Sequence, residues 1–263
     1  MTMALWKSIR PYLSAAIRFF HISYIEAKAQ HHGARLGVLW GPLSSLCFVV
    51  MLSLIFHHSE SMPQGDFFLY VFVGYILWSF IAETITGSTD IIQKRLDFAV
   101  HNGLSVPGLF GKILVDRLFS YGLNLVSLAL VAIVFFHDKL GASLVLFLPF
   151  ALMIVAASFF GAYLVNIITI LFPDTRTLFQ VGVRFLFFAS PVFWSANEVT
   201  GGVRGLLTTY NPVSYFLSMA RQTMGIQVFN PSDWLIALAV TAAICAAGTL
   251  AYLGSRNFIR NLK

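Results

Sequence analysis

Residues Ile170 to Gln180 read ILFPDTRTLFQ, a short polar interruption in an otherwise apolar part of the chain. From Leu140 to Pro173 there is no Asp, Glu, Lys or Arg, and from Thr177 to Asn197 a single Arg is the one charged residue. Apolar stretches of this length are typical of helices that span a membrane, and a proline ends such a helix. We therefore interpret the interruption as a tight turn between two spanning helices, with Asp174 or Thr175 capping the second.

The composition of the whole chain supports this interpretation. Of its 263 residues, 58% are hydrophobic and 11% are charged, whereas soluble domains carry roughly a quarter charged residues. A soluble core of this size could not bury so many apolar side chains, but a bilayer could. The sequence therefore predicts an all-α integral membrane protein that crosses the membrane several times.

Six segments are long and apolar enough to cross a bilayer, which takes about 20 residues. They are Val38–Phe56, Phe68–Gly87, Leu114–Phe136, Leu144–Phe172, Leu178–Ser195 and Trp234–Gly254. Lys and Arg indicate the orientation, because they concentrate in cytoplasmic loops. If both chain ends are inside, the outer side holds only Lys139, Arg204 and Arg221. We therefore expect cytoplasmic N- and C-termini.

The whole chain is predicted to form one membrane domain with a distinct N-terminal segment. Residues 1–35 carry apolar and basic positions at helical spacing, which is typical of an amphipathic helix lying in the membrane interface. The same face could instead pack on a cytoplasmic partner. Residues 36–254 then form the six-span bundle, and residues 255–263 form a cytoplasmic tail.

Two connections between the spans carry helical patterns of their own. The inner one, Asp90–Gly111, places apolar residues at roughly helical spacing among charged ones, which favours a short amphipathic helix over a solvated linker. The outer one, Ala196–Asp233, contains two short apolar runs separated by Asn211-Pro212, a good helix start. Because backbone deep in a membrane must be shielded from lipid, we expect two short re-entrant helices on the outer side that line or cover a cavity.

The sequence shows no signature of catalysis or nucleotide binding. GLFGK at Gly108–Lys112 is too short for a phosphate-binding loop and lacks the Ser or Thr that follows the lysine. The histidines at 31–32 and 57–58 form adjacent pairs that do not share a helix face, so we expect no metal site. The net charge of +6 is explained by cytoplasmic loops and anionic lipid, so we expect no nucleic-acid partner.

Aromatic residues make up 15% of the chain, and several fall inside the predicted spans. Belts of aromatic side chains at the two membrane surfaces explain many of them. Aromatic faces can also stack on sugar rings, so a wide aromatic passage would suit a glycan. Packing between neighbouring helices is nevertheless the simpler role for any single ring.

Four motifs occur in order along the chain: ARLGVLW at Ala34–Trp40, LFPDTRTLFQ at Leu171–Gln180, FASPVFWS at Phe188–Ser195 and YNPVSYFLSMARQ at Tyr210–Gln222. With six spans of the expected orientation, they resemble the membrane subunits of type-2 ABC exporters, and within them the O-antigen and capsular polysaccharide permeases. Two positions depart from that pattern. Ser45 stands about where the family has proline, and Pro173 replaces the arginine of the usual Arg-Asp turn, so no role of that arginine is carried over.

The resemblance implies a homodimer in the bacterial inner membrane, joined by two copies of a separate ABC nucleotide-binding subunit. That subunit would hold ATP and Mg²⁺, and this chain would bind no cofactor and catalyse no reaction. The cargo would be a polysaccharide on a lipid carrier, handled among membrane lipids.

The resemblance also implies roles for three sets of residues. Coupling to the ATPase would involve Lys94, Arg95, Leu96, Asp97, Phe98, His101, Asp174 and Arg176. The translocation path would involve Trp40, Phe48, Phe187, Phe188 and Phe193. A periplasmic gate would involve Pro191, Tyr210, Asn211 and Pro212.

Two alternatives stay open on the sequence alone. The same architecture could export teichoic acid, a lipid or a drug. A membrane-embedded enzyme or assembly factor that works without ATP would be a different class of protein. Co-purification of an ABC subunit, with ATPase activity that depends on this chain, would separate the exporters from that second class.

Overall fold

A computed structural model describes residues 21–22, 24–25, 36–57, 62–194 and 202–260, the side chains of 204 and 256–260 excepted. From residue 36 onward the regular structure in these ranges is helical. The α-helices there are α1 Trp40–Phe56, α2 Gln64–Thr86, α3 Ile91–His101, α4 Val106–Phe135, α5 Phe147–Leu171, α6 Thr175–Ala189, α7 Gly202–Tyr210, α8 Pro212–Thr223 and α9 Pro231–Arg260. The predicted amphipathic segment 1–35 lies almost wholly outside the described residues.

Five stretches of the described chain are long and apolar enough to cross a membrane: Gly37–Phe56, Gln64–Thr86, Val106–Phe135, Ala142–Leu171 and Pro231–Ser255. They correspond to five of the six predicted spans. The third span begins earlier than predicted, because Ser105 caps α4 by accepting the Gly108 N–H at 3.2 Å. At the other end of the chain, α9 continues into the predicted tail as far as Arg260.

The predicted fifth span, Leu178–Ser195, differs from the observed helix. Its helix α6 has 15 residues, about 22 Å at 1.5 Å per residue, whereas the hydrocarbon core measures roughly 30 Å. The helix ends at Ala189 because Ser190, which precedes Pro191, has an extended backbone with ψ of 144°. A sixth crossing therefore stays a prediction, and residues beyond the helix would have to complete it.

Side-chain capping of α6 was also predicted wrongly. Asp174 precedes α6 with a helical backbone (φ −63°, ψ −24°), and no side chain caps the helix. A capping side chain needs an extended backbone at that position. Thr175 instead donates its hydroxyl to the Phe172 carbonyl at 2.6 Å. The tight turn is present, and backbone hydrogen bonds, such as that from the Arg176 N–H to the Pro173 carbonyl at 3.1 Å, hold it together with this hydroxyl.

Helix α2 forms the centre of the bundle. In the most apolar 18-residue part of α2, 61% is buried inside the protein, against 17–22% in the corresponding parts of the other four apolar stretches. Helices α1, α4, α5, α6 and α8 pack around it. The outward faces of those helices carry large exposed apolar side chains, such as Val134 and Phe135 of α4, which is the surface expected to face lipid or a partner subunit.

A second, smaller core lies at the end of the bundle that carries α3. It contains Ile91, Ile92, Ala99, Leu109, Phe110, Ala162, Tyr163 and Ile167. These residues join α3 to the beginning of α4 and the end of α5. We name this end of the bundle the inner end and the opposite end the outer end, after the predicted orientation.

Candidate functional site

Helix α3 is the amphipathic helix expected after the second span, so this prediction is confirmed. Ile91, Ile92 and Ala99 are buried on one side, while Lys94 and Asp97 are exposed on the other. The remaining predicted coupling residues of α3 divide in the same way. His101 is exposed, whereas Arg95, Leu96 and Phe98 are half-buried.

Asp90, which was not among the predicted site residues, brings two predicted coupling residues together. Its Oδ2 lies 2.8 Å from Lys94 Nζ and 2.5 Å from Arg176 Nη2. The beginning of α3 and the first turn of α6 are thereby held side by side. Asp174 is exposed and takes no part in these described ion pairs. The available signal was the acid four residues before Lys94, a spacing at which side chains on a helix meet.

Polar side chains of α5 hold the first turn of α3 from behind. Asn166 Oδ1 accepts the Ile92 N–H at 3.3 Å, and its Nδ2 donates to Gln93 Oε1 at 2.9 Å. Thr169 donates its hydroxyl to the Thr89 carbonyl at 2.6 Å. Asn166 and Thr169 are both buried. The first turn of a helix has backbone N–H groups without helical partners, so these bonds attach α3 firmly to α5.

Arg117 of α4 extends this attachment to the end of α2. Its Nη2 donates to Ser88 Oγ at 2.9 Å, and Ser88 Oγ donates to the Thr84 carbonyl at 2.5 Å. Arg117 is 4% exposed and lies near the carboxylates of Glu83 and Asp116. We name five buried residues the inner polar network: Thr84, Ser88, Arg117, Asn166 and Thr169.

Three predicted path residues meet at the outer end of α6. The Phe193 ring lies 5.4 Å from the Phe187 ring and 6.0 Å from the Phe188 ring, and Phe56 of α1 joins them at 4.6 Å from Phe193. Phe188 is 65% exposed, whereas Phe193 is buried. We name these four residues the phenylalanine cluster.

The other two path residues lie elsewhere on α1. Phe48 pairs with Tyr75 of α2 at 4.9 Å between ring centroids. Trp40 begins α1 and is 56% exposed. The structure therefore assembles part of the predicted path and leaves Trp40 and Phe48 apart from it.

Asn211 and Pro212 begin α8 as predicted. Asn211 Oδ1 accepts the Val213 N–H at 3.0 Å, and Pro212 occupies the first helical position. The Asn211 amide also donates to Ser190 Oγ at 2.8 Å, so it connects the start of α8 to the end of α6. Tyr210 is 80% exposed, and the contact with Ser190 is made by the neighbouring Asn211.

Arg221 of α8 binds the segment where α6 breaks. Nη2 donates to the carbonyls of Pro191 and Val192 at 2.6 and 3.2 Å, and Nε donates to the Tyr70 carbonyl at 3.3 Å. Its guanidinium carbon lies 3.4 Å from the centroid of the Tyr70 ring. Gly74 leaves room for it, because a Cβ there would lie 2.6 Å from Nη2. We name Arg221, Tyr70, Pro191 and Val192 the outer clamp.

The outer clamp holds a cation without an acid. Arg221 is 1% exposed, and no carboxylate forms an ion pair with it in the described part of the chain. Burial lowers the pKa of the Arg221 guanidinium, and neighbouring Tyr70 acts in the opposite direction. Backbone carbonyls and an aromatic face therefore take the place of a counter-ion.

The described residues contain no group of His, Cys, Asp and Glu side chains that could hold a metal ion. No model of a known protein family matches the chain. A curated relative is the O-antigen export system permease protein RfbA of Myxococcus xanthus, which is 23% identical over 224 residues. That alignment covers 83% of this chain and 84% of the relative. Over most of its length the chain is therefore similar to an O-antigen export permease, in agreement with the resemblance that its sequence motifs indicate.

Proposed function

We propose that this chain is the membrane subunit of an ATP-driven exporter that moves lipid-linked polysaccharide, of the O-antigen or capsule type, across the bacterial inner membrane. The observation that carries the proposal is the similarity to an O-antigen export permease over most of both chains. Five helices of membrane-spanning length and apolarity agree with it. In the working complex, two copies of this chain join two copies of a nucleotide-binding subunit that hydrolyses ATP with Mg²⁺.

In this proposal, the exposed face of α3 receives the motion of the nucleotide-binding subunit. Lys94 and Asp97 offer charged groups on that face, and the ion pair of Asp90 with Arg176 adds the first turn of α6 to the same surface. Because the inner polar network attaches α3 to α5, a displacement of α3 would move α5 with it.

Helix α2 is the element that would carry the motion to the outer end. Its 23 residues span about 34 Å at 1.5 Å per residue. Beyond its inner end lies Ser88, which accepts from Arg117, and near its outer end Tyr70 contacts Arg221. The outer clamp then connects α2 to α8 and to the end of α6, where the phenylalanine cluster offers ring faces to passing sugars.

A clean deletion of the gene tests the proposal. Gel analysis of surface glycolipid and of the lipid-linked pool inside the cell should show that long surface polysaccharide is lost while lipid-linked glycan accumulates. Complementation with the intact gene is the control. Unchanged surface glycan without accumulation would contradict the proposal and direct attention to teichoic acid, lipid or drug export.

A charge reversal tests the coupling role of α3. Asp97→Lys should abolish export while ATP hydrolysis continues and the chain still inserts, because Asp97 is exposed and its carbonyl, not its carboxylate, contacts His101. Asp138→Lys, at an acid of the opposite loop that is also exposed, is the matched control. Leu96→Asp would be a poorer test, because Leu96 packs against the inner core. Normal export by Asp97→Lys would exclude this surface from coupling.

A further inference from the structure

A polar cavity lies beside α8 at the outer end of the bundle. It has a volume of about 530 Å³ and is lined by Thr208 of α7, by Ser214, Ser218, Arg221 and Gln222 of α8, and by Asp233 of α9. Sites for small molecules typically measure about 300–1,000 Å³. The volume and the density of polar groups are therefore those of a binding site.

The groups at one side of the cavity are held in place by one another. Ser218 donates its hydroxyl to Asp233 Oδ2 at 2.6 Å, and Gln222 Nε2 donates to the same oxygen at 2.9 Å. Gln222 Oε1 in turn accepts from Trp234 Nε1 at 2.8 Å and from the Asn230 N–H at 3.1 Å. A carboxylate, an amide and a hydroxyl are thereby presented with little freedom to move, which favours ligand binding.

Ser214 is a second, independent observation that points to a ligand in this cavity. It is 5% exposed and lines the cavity, yet its hydroxyl makes no hydrogen bond to any part of the described structure. Buried hydroxyls are nearly always hydrogen-bonded. Arg221 lines the same cavity, and its described bonds use Nε and Nη2 but not Nη1. Both residues therefore retain hydrogen-bonding capacity for an occupant.

We propose that this cavity binds a sugar unit of the exported glycan. A sugar ring carries several hydroxyls that both donate and accept, and the cavity offers an acceptor carboxylate at Asp233, a hydroxyl at Ser214 and guanidinium donors at Arg221. The presence of one acid and one base favours a neutral polyhydroxyl ligand over an ion. The inference rests on the proposed function and deepens it, because the site would hold the glycan as it leaves the bundle.

Sugar binding to the full-length chain in lipid nanodiscs tests the site. The probes are methyl glycosides of glucose, galactose, mannose, rhamnose and N-acetylglucosamine, followed by saturation-transfer NMR. Ser214→Ala removes the cavity hydroxyl, and Thr241→Val is the matched control. Thr241 is also 5% exposed with an unpartnered hydroxyl, but it lies outside the cavity lining. We expect at least one probe to bind, Ser214→Ala to weaken it about three- to tenfold, and Thr241→Val to leave it unchanged.

Each contrary result would overturn the sugar site. Absence of binding to the wild-type chain, equal weakening by both variants, or unchanged binding by Ser214→Ala would each do so. Export is scored separately in the deletion strain. If deletion blocks export but no probe binds, the proposed function stands and the assignment of the cavity fails. If deletion leaves surface glycan unchanged, the proposed function fails whatever the binding result.

Discussion

The two ends of α2 each lie beside a buried arginine, and the two arginines are stabilised in different ways. At the inner end, Arg117 lies near the carboxylates of Glu83 and Asp116 and donates to a serine hydroxyl. At the outer end, Arg221 has no carboxylate partner among the described residues and donates instead to three backbone carbonyls while facing an aromatic ring.

The partners at the inner end recognise the charge of the arginine, whereas those at the outer end recognise the shape of its guanidinium group. A carboxylate stabilises any nearby cation, whereas carbonyls on two chain segments match the planar fork of a guanidinium and not a compact ammonium. The carbonyls of Pro191 and Val192 need such a donor because α6 ends before them. The inner end should therefore tolerate conservative changes that the outer end does not.

The largest expected effect tests this contrast directly. Arg221→Lys should lower the free energy of unfolding by about 3 kcal/mol or more, because buried carbonyls that lose their donor cost about 1–3 kcal/mol each. Arg117→Lys should cost about 1 kcal/mol, since the positive charge beside the carboxylates is kept. Thermal unfolding of the purified chain in detergent measures both. Equal losses would show that the two arginines do not differ as described.

A glycine comparison probes the space around the outer clamp. Gly74→Ala should cost about 1–3 kcal/mol, because its Cβ would lie 2.6 Å from Arg221 Nη2 and 3.3 Å from the Val192 carbonyl oxygen. Gly122→Ala in α4 is the control, since a Cβ there meets nothing within 4 Å. The same thermal assay applies. A harmless Gly74→Ala would mean that the guanidinium can shift without loss.

Substitution of Asn166 tests the inner polar network, and substitution of Asn124, which lies outside the network, is the control. Asn166→Leu should cost about 1–2 kcal/mol and raise amide exchange across α3, because the Ile92 N–H loses its acceptor. Asn124→Leu is the control, since the Asn124 amide donates to Ser120 of its own helix. Hydrogen–deuterium exchange of Ile91–His101 provides the measurement. If both variants exchange alike, α5 does not anchor α3.

The smallest effect is expected at the surface ion pairs, where the two ends should not differ. Arg176→Ala at the inner end and Lys139→Ala, which breaks the 3.0 Å pair with Asp66, should each cost about 0.2–1 kcal/mol. Their partly exposed side chains allow salt to screen both interactions. Thermal unfolding at low and high salt measures the difference. A larger, salt-independent loss at either end would contradict this expectation.

The sequence predicted the helices well because apolarity and capping are local properties. Five spans, the amphipathic α3 and the start of α8 at Asn211-Pro212 all follow from neighbouring residues. The fifth span was drawn too long because Val192 and Phe193 are apolar, yet their apolarity reflects burial rather than helix. Hydropathy does not distinguish a helix from a buried non-helical segment.

The site residues also divide into those whose partners are near in sequence, which could be predicted, and those whose partners are distant, which could not. Asn211 was predicted because its role as a cap depends on the next two residues. Asp90 and Arg221 were missed because their partners, Arg176 and Tyr70, lie far away along the chain. Only the folded arrangement shows that each connects separate helices.

The residues of the outer clamp are synthesised in a fixed order, with the carbonyls made before the arginine that binds them. The carbonyls of Pro191 and Val192 precede their donor by 30 and 29 residues. At roughly 5–20 residues per second, a ribosome needs about 2–6 s to add the missing arginine. Until that arginine has been added, the carbonyls of Pro191 and Val192 lack the donor that completes the outer end of α6. The hairpin of α5 and α6 therefore cannot mature on its own, and its final arrangement awaits α8.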